Sequence, residues 1–125
     1  MPKRILIAGA GTAASQNLLR SLKAADPDLV VAGCHHDRFI LNLWSGDSKH
    51  LVPRLTAPTF PEVLKKIVES EQIDLVIPTS DAEVEAVSRM RDQISGLCFL
   101  PEPALIELCR DKHRTVARLS AAGIR

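Results

Sequence analysis

The sequence predicts an α/β domain built on a doubly wound parallel sheet of about five strands, in the order 3-2-1-4-5. Three observations carry that expectation. The apolar run Ile5–Ala8 breaks straight into a glycine turn, Gly9-Ala10-Gly11. Short apolar runs then alternate along the chain with segments of helical periodicity, which makes a parallel sheet covered on both faces. Finally, 125 residues with 46% hydrophobic and 25% charged side chains make one ordinary globular domain, residues 1–125.

Each element has its own signal. Ile5–Ala8 suits a strand buried on both faces, and a helix begins near Thr12 with Leu18, Leu19, Leu22 and Ala25 on one side. Asp26-Pro27-Asp28 stops that helix before the second strand, "LVVAGC". Asp37 to His50 has no period and is expected as loop, with one helical turn near Phe39–Leu43. "HLVPRL" follows as a short edge strand, since Pro53 cannot donate to a ladder.

Thr59 and Glu62 fit a capping box, ahead of a helix burying Val63, Leu64, Ile67 and Val68. "IDLVIP" is the fourth strand. Ser80 and Glu83 form a second capping box, with Val84, Val87 and Met90 turned inward. "LCFL" is the fifth strand, ended by Pro101 and Pro103. Two helices close the chain, Ala104–Cys109 and about Lys112–Ala122, the second with Asp111 as N-cap, Gly123 beyond its end and an apolar stripe at Val116, Leu119 and Ala122.

Composition narrows function. A net charge of +1 gives no field to recruit nucleic acid or a membrane surface, and 3% aromatics without Tyr argue against base stacking. Cys34, Cys98 and Cys109 are odd in number and lie in or beside apolar runs. They read as small buried residues in a reducing cytosol rather than a disulfide framework. No stretch approaches a membrane span. "MPKRILIAGAGTAA" has the outline of a signal peptide, but Gly9 and Gly11 cut its apolar run after a few residues, so a strand and turn explain it better.

In the predicted topology the winding reverses between strands 1 and 4, and ligands of such sheets sit in that crevice. Two segments should line it: Gly9, Ala10, Gly11, Thr12 and Ser15 from the first turn, and Thr79-Ser80-Asp81 with Glu83. The spacing Gly9-x-Gly11-x-x-Ala14 is that of a dinucleotide loop, with Gly11 letting backbone approach a ligand at a helix N-terminus. Every doubly wound domain needs a tight first turn, however, and the second strand ends in Cys34-His35-His36 where a ribose-binding acid would stand.

"CHHD" contains ligand types for a metal, but neighbouring residues at a strand end point oppositely and no second cluster completes a site, so no metal is expected. Asp81 and Glu83 read equally as dipole-compensating acids and as seats for a substrate amine. No nucleophile triad can be argued from spacing, so no catalytic residue is named.

"GAGTAAS", "IDLVIPTSDAE" and "DKHRTVARLSAAGI" together resemble the N-terminal, preATP-grasp domain of ATP-grasp ligases, over the whole chain and especially the branch of the carbamoyl-phosphate synthetase large chain. That resemblance implies a Rossmann-like scaffold leading, past a final "AAGIR" that looks like a connection cut short, into ATP-grasp domains outside these residues. It implies a parent ligase that uses ATP and Mg2+ to activate a carboxylate as an acyl phosphate and pass it to an amine. Lys112 would reach nucleotide phosphates, while Gly9 to Ser15, Asp81 and Glu83 would shape a carboxylate or amine pocket. The chain alone would not catalyse, and a homodimer stays open. In the family an acid commonly ends the second strand, where this chain has Cys34-His35. The alternatives are a stand-alone NAD(P)-binding domain of a dehydrogenase or redox regulator, and a non-enzymatic domain that docks on a separate catalytic chain.

Overall fold

The computed structural model describes the backbone of residues 1–125 and every side chain except that of Leu97. One parallel sheet runs in the order β3-β2-β1-β4-β5. Its strands are β1 (Arg4–Ala8), β2 (Val30–His35), β3 (Ser48–Leu51), β4 (Leu75–Pro78) and β5 (Leu97–Cys98), so four have four to six residues and the fifth only two. The helices are α1 (Ala13–Ala25), the single turn α2 (Arg38–Leu41), α3 (Phe60–Ser70), α4 (Asp81–Arg89), α5 (Pro103–Arg110) and α6 (Lys112–Ala121).

Period two along the strands sorts the core into two layers. Ile5 and Ile7 of β1 join Val31 of β2 and Leu19 of α1 on one face of the sheet. Leu6 and Ala8 pack on the other face with Ala32, Cys34, Val76 and the buried side of α3. β1 lies between β2 and β4, with Ile7 paired to Gly33 and Ile77. α1 begins next to Thr12 as expected, and Thr12 caps it, its hydroxyl accepting from the Ser15 N–H, while Asp37 caps the turn α2 by accepting from Phe39 and Ile40.

Several expectations need correcting. β3 starts two residues before "HLVPRL", because Asp47 holds the strand entry: its N–H donates to Val31 O at 2.9 Å and its carboxylate accepts from Val31 N at 2.7 Å. Pairing ends with Val52 N donating to His35 O at 3.1 Å, and the next residue, Pro53, has no N–H to continue. Thr59 makes no capping bond, because its own backbone is already helical (φ −83°, ψ −12°), and Pro61 follows it in the first turn. The capping box there is absent. Phe60, unremarked in the sequence, is 1% exposed and supplies the bulk that Val63, only half-buried, does not.

"LCFL" pairs over two residues only, and Phe99 is exposed. The stripe Val116, Leu119 and Ala122 of α6 is exposed too, since α6 packs on α5 and buries no residue. Of the cysteines Cys34 alone is buried; Cys98 is half-buried and Cys109 exposed. Among the described residues no helix is long and apolar enough to cross a membrane.

Candidate functional site: the crevice between β1 and β4

The carboxyl ends of three adjacent strands are tied together. Gly9 and Ala10 both donate their N–H to Cys34 O at 3.0 Å, joining the first turn to β2. Thr79 donates twice to Ala8 O, from its N–H at 3.1 Å and its hydroxyl at 2.8 Å, joining β4 to β1. Thr12 donates its hydroxyl to Gly9 O at 3.0 Å and closes the turn. Ser15 is fully buried beneath it, with its hydroxyl donating to Thr12 O at 2.8 Å. Ala10 is likewise fully buried.

Both glycines of the turn have positive φ, 91° at Gly9 and 96° at Gly11, where an L side chain is strained. What fills the space of each missing Cβ is protein. At Gly9 it is the Thr79 hydroxyl, with the Glu83 carboxyl behind, 3.3 Å from where the Cβ would be. At Gly11 it is the carbonyl oxygen of Ile40 in α2. The face a pyrophosphate would approach in a dinucleotide loop is therefore covered by backbone, with a negative dipole end turned toward it.

Ser80 accepts from the Glu83 N–H at 3.3 Å, half of the expected capping box. The reciprocal half is absent, because the Glu83 side chain turns inward. Glu83 is 7% exposed, and its Oε2 has no hydrogen-bond partner among the described residues. Asp81 goes elsewhere. Two residues on a helix are some 200° apart around the axis, and Asp81 lines a groove of about 290 Å3 with Val84, Leu105, Ile106 and Arg110. The sequence paired these acids; the structure separates them. Lys112 is exposed in the first turn of α6, and it forms no ion pair among the described residues.

Burial dominates the electrostatics of the crevice, and Glu83 contributes to them. Burial pushes the Cys34 thiol up to about 12, with the Glu83 charge adding to it, so Cys34 is an inert thiol. Burial also lowers His35 below the ordinary imidazole value, helped by His36 and opposed by Glu83 and Asp37. The His35 and His36 rings are stacked, centroids 4.6 Å apart, rather than pointing oppositely as the strand period suggested. The Asp37 backbone N–H donates to His35 Nδ1 at 2.8 Å. Among the described residues no group of three His, Cys, Asp or Glu is placed to hold a metal ion.

The sequence placed Thr79 on the crevice but showed neither its hydroxyl against Gly9, nor the Ile40 carbonyl against Gly11, nor the inward turn of Glu83. The first two are contacts between distant segments and leave no local signature. The third is visible in part, since Glu83 falls four residues before Val87 and so shares the helix face that Val87 buries.

No family model matches the chain, and no curated protein matches it. Solved structures do. The biotin carboxylase domain dimer of the Hydrogenobacter thermophilus 2-oxoglutarate carboxylase, in complex with MgADP, ADP and bicarbonate, matches 98% of this chain at 16% identity and TM-score 0.70. The biotin carboxylase domain of a thermophilic 2-oxoglutarate carboxylase, bound to ADP without magnesium, matches 98% at 18% identity and TM-score 0.71. The biotin carboxylase subunit of a pyruvate carboxylase matches 98% at 16% and 0.68. The chain spans 28% of the length of each. At such identities the likeness carries the fold alone: a Rossmann-like α/β unit that these biotin carboxylase structures share over part of their length.

Proposed function

We propose that these residues are the substrate-holding N-terminal domain of an ATP-dependent ligase of the carboxylate–amine or carbamoyl-phosphate synthetase kind, with Glu83 as the seat for an amine. The observation that carries this reading is the Glu83 carboxyl. A carboxyl buried without a partner lowers stability. Its retention, against Gly9 at the carboxyl ends of β1 and β4, fits a group that a ligand completes. An ammonium answers a carboxylate that has no protein donor. Gly9, Ala10, Gly11 and Thr12 would form the wall beside it, Ser15 would brace that wall from beneath, and Asp81 would stand at the rim on the α5 side.

The nucleotide belongs to the same reading. Lys112, with His113 and Arg114 beside it at an exposed helix start, fits a phosphate as a point charge. The acids for Mg2+, and most of the contacts to ATP, would come from ATP-grasp domains of the same polypeptide. ATP would supply the phosphoryl group that turns the carboxylate into an acyl phosphate. This domain's own part is to bind and orient the amine and to keep water from the Gly9 wall. By itself it would turn nothing over.

The nicotinamide alternative has less to stand on. The Gly11 face is occupied by the Ile40 carbonyl, and β2 ends in His35, not in an acid that would hold a ribose.

Titration by nuclear magnetic resonance tests the amine seat. Ethylamine should give saturable shifts at the Gly9 and Ala10 amides that disappear in Glu83→Gln. NAD+ should give none. Saturable NAD+ binding would move the assignment to the dinucleotide class. Glu83→Met should also raise unfolding stability by about 1 kcal/mol or more, since it removes an unpaired buried carboxyl. The gene beyond the Arg125 codon tests the larger claim, which would fail if no acid-bearing ATP-grasp region followed.

A further inference from the structure

The carbonyl that covers Gly11 belongs to a turn held differently at its two ends. Behind it, Leu41 and Trp44 are buried in the layer with Ile7, Leu19 and Val31, and Trp44 Nε1–H donates to Ser48 O at 3.0 Å. Ahead of it, Phe39 is exposed and Ile40 only half-buried. That end hangs on Asp37. Its carboxylate accepts from the N–H of Phe39 at 2.8 Å and of Ile40 at 3.3 Å, and its carbonyl accepts from Leu41 at 2.9 Å.

Asp37 is held in turn by one imidazole. Its backbone N–H donates to His35 Nδ1 at 2.8 Å. A backbone N–H can only donate, so Nδ1 accepts and carries no proton. An imidazolium has an N–H on both nitrogens and accepts nothing, so protonation sets two donors against each other. Rotation of the ring is hindered, because His35 is 7% exposed and stacked on His36. Pairing with the Asp37 carboxylate would take that carboxylate off the Phe39 and Ile40 amides. Either response frees the end of α2 that carries the Ile40 carbonyl.

The geometry points to α2 as a proton-controlled lid on the glycine turn. With His35 neutral the Ile40 carbonyl is held over Gly11; with His35 protonated the Asp37–Ile40 end lifts and uncovers it. The lid does not depend on what the crevice binds. Around His35, His36 and Asp37 act from its own segment and Glu83 from α4. On β3, Leu51 stands opposite it, Lys49 reaches Asn42 at 3.5 Å, and His50 is taken by Glu71. Arg38 of α2 lies over the Phe39 ring, and the first turn of α1 carries no acid. Burial and His36 hold His35 below its ordinary value, against Glu83 and Asp37. The closed form therefore resists the proton that the open form accepts. Closure is full above about pH 6.5 and weakens as pH falls below it, by up to about tenfold per pH unit for one proton.

Amide hydrogen exchange on the 125-residue chain tests the lid, read as protection factors from about pH 8 to about pH 5. Protection at Phe39, Ile40 and Leu41 should stay level down to about pH 6.5 and then fall, by up to about tenfold per pH unit. The amides of Leu64 and Val68 in α3 should keep theirs. The fall should persist in His36→Gln. It should vanish in His35→Gln, whose side-chain oxygen accepts the Asp37 N–H at every pH, leaving α2 protected throughout. In His35→Phe, which accepts nothing, protection should be low and level across the range. A fall shared by α3 would mean general unfolding and overturn the lid. A fall that survives in His35→Gln, or no fall in the parent chain, would overturn it as well.

Discussion

Helices α3 and α6 are both amphipathic in sequence, and they fare oppositely in the fold. α3 buries Phe60, Leu64, Ile67 and Val68 against the sheet, with Leu64 and Val68 wholly inaccessible. α6 buries nothing; Val116 is 61% exposed and Leu119 43%. The difference lies in what each helix crosses. α3 is the connection between β3 and β4, which lie on opposite sides of the central pair β2-β1, so it must pass over the sheet face. α6 follows α5, and α5 reaches the body through its own contacts with α4 and the single buried Ile106. A periodic pattern marks a face that can be buried. Topology decides whether anything is there to bury it.

Truncating one leucine from each helix, buried Leu64 and exposed Leu119, tests that contrast most strongly. Leu64→Ala should cost about 2 to 5 kcal/mol in urea denaturation followed by circular dichroism, through lost transfer energy and an unfilled cavity. Leu119→Ala should stay within about 0.5 kcal/mol. Similar losses at the two sites would mean that α6 is covered in solution.

Two glycines give the next largest difference. Gly11→Ala combines a positive φ with a Cβ driven into the Ile40 carbonyl, so it should cost about 2 kcal/mol or more. Gly123 also has a positive φ, 79°, but a Cβ there meets nothing within 4 Å. Gly123→Ala should cost only the backbone strain, about 1 kcal/mol. If Gly11→Ala is no worse than Gly123→Ala by thermal unfolding, the α2 turn does not rest on the glycine loop.

These cases show where the sequence could be read and where it could not. The strand order, the helix start beside Thr12, the Asp111 cap and the reversal between β1 and β4 were expected from the sequence, and all are present. The Thr59 box failed because a motif of residue types does not fix backbone angles, and Thr59 is helical already. Asp81 and Glu83 sit two apart in one turn, yet only Glu83 shares the buried face of Val87. Gly9 was legible as a tight turn, and Gly11 was read as the position where backbone approaches a ligand. That the Ile40 carbonyl would fill its open face depends on a contact between segments 29 residues apart, and no local pattern encodes it.

A smaller difference between the two regions concerns acid. Every carboxyl held below its ordinary range precedes Leu75: Asp37, Asp47, Glu71 and Asp74. Burial would raise Glu71, but hydrogen bonds from His50 at 2.7 Å, Ser48 at 3.0 Å and Arg4 at 2.7 Å outweigh it and lower it. A folded-state value below the unfolded one means the stabilisation is full above about pH 5 and is lost as pH falls through the carboxylate range. Unfolding midpoints measured from pH 7 down to pH 3 should therefore drop, and drop less steeply in Glu71→Gln. An unchanged slope would remove Glu71 from the account of acid sensitivity.

The smallest expected effect returns to the same two helices at their C-terminal ends, which close in one way. After α3, Ile73 N donates to Val68 O at 2.9 Å and Gln72 N to Glu69 O at 3.2 Å; after α6, Ile124 N donates to Leu119 O and Gly123 N to Ser120 O, both at 3.0 Å. Each is a Schellman turn that needs one left-handed residue. α6 uses Gly123 there, whereas α3 uses Gln72, with φ of 51°. A non-glycine residue is disfavoured in that region by about 1 to 2 kcal/mol, and glycine gives back part of that gain through its freer unfolded chain. Gln72→Gly should therefore stabilise the domain by about 0.5 to 1 kcal/mol in the urea assay. The packing of Val68 and Ile73 in the core explains why α3 holds the strained residue in place. The exposed end of α6 has no such support, so the reciprocal Gly123→Gln should fray its last turn, read as lost amide protection at Gly123 and Ile124. A Gln72→Gly variant less stable than the parent would mean that the Gln72 side chain, rather than the neighbouring core residues, holds the turn closed.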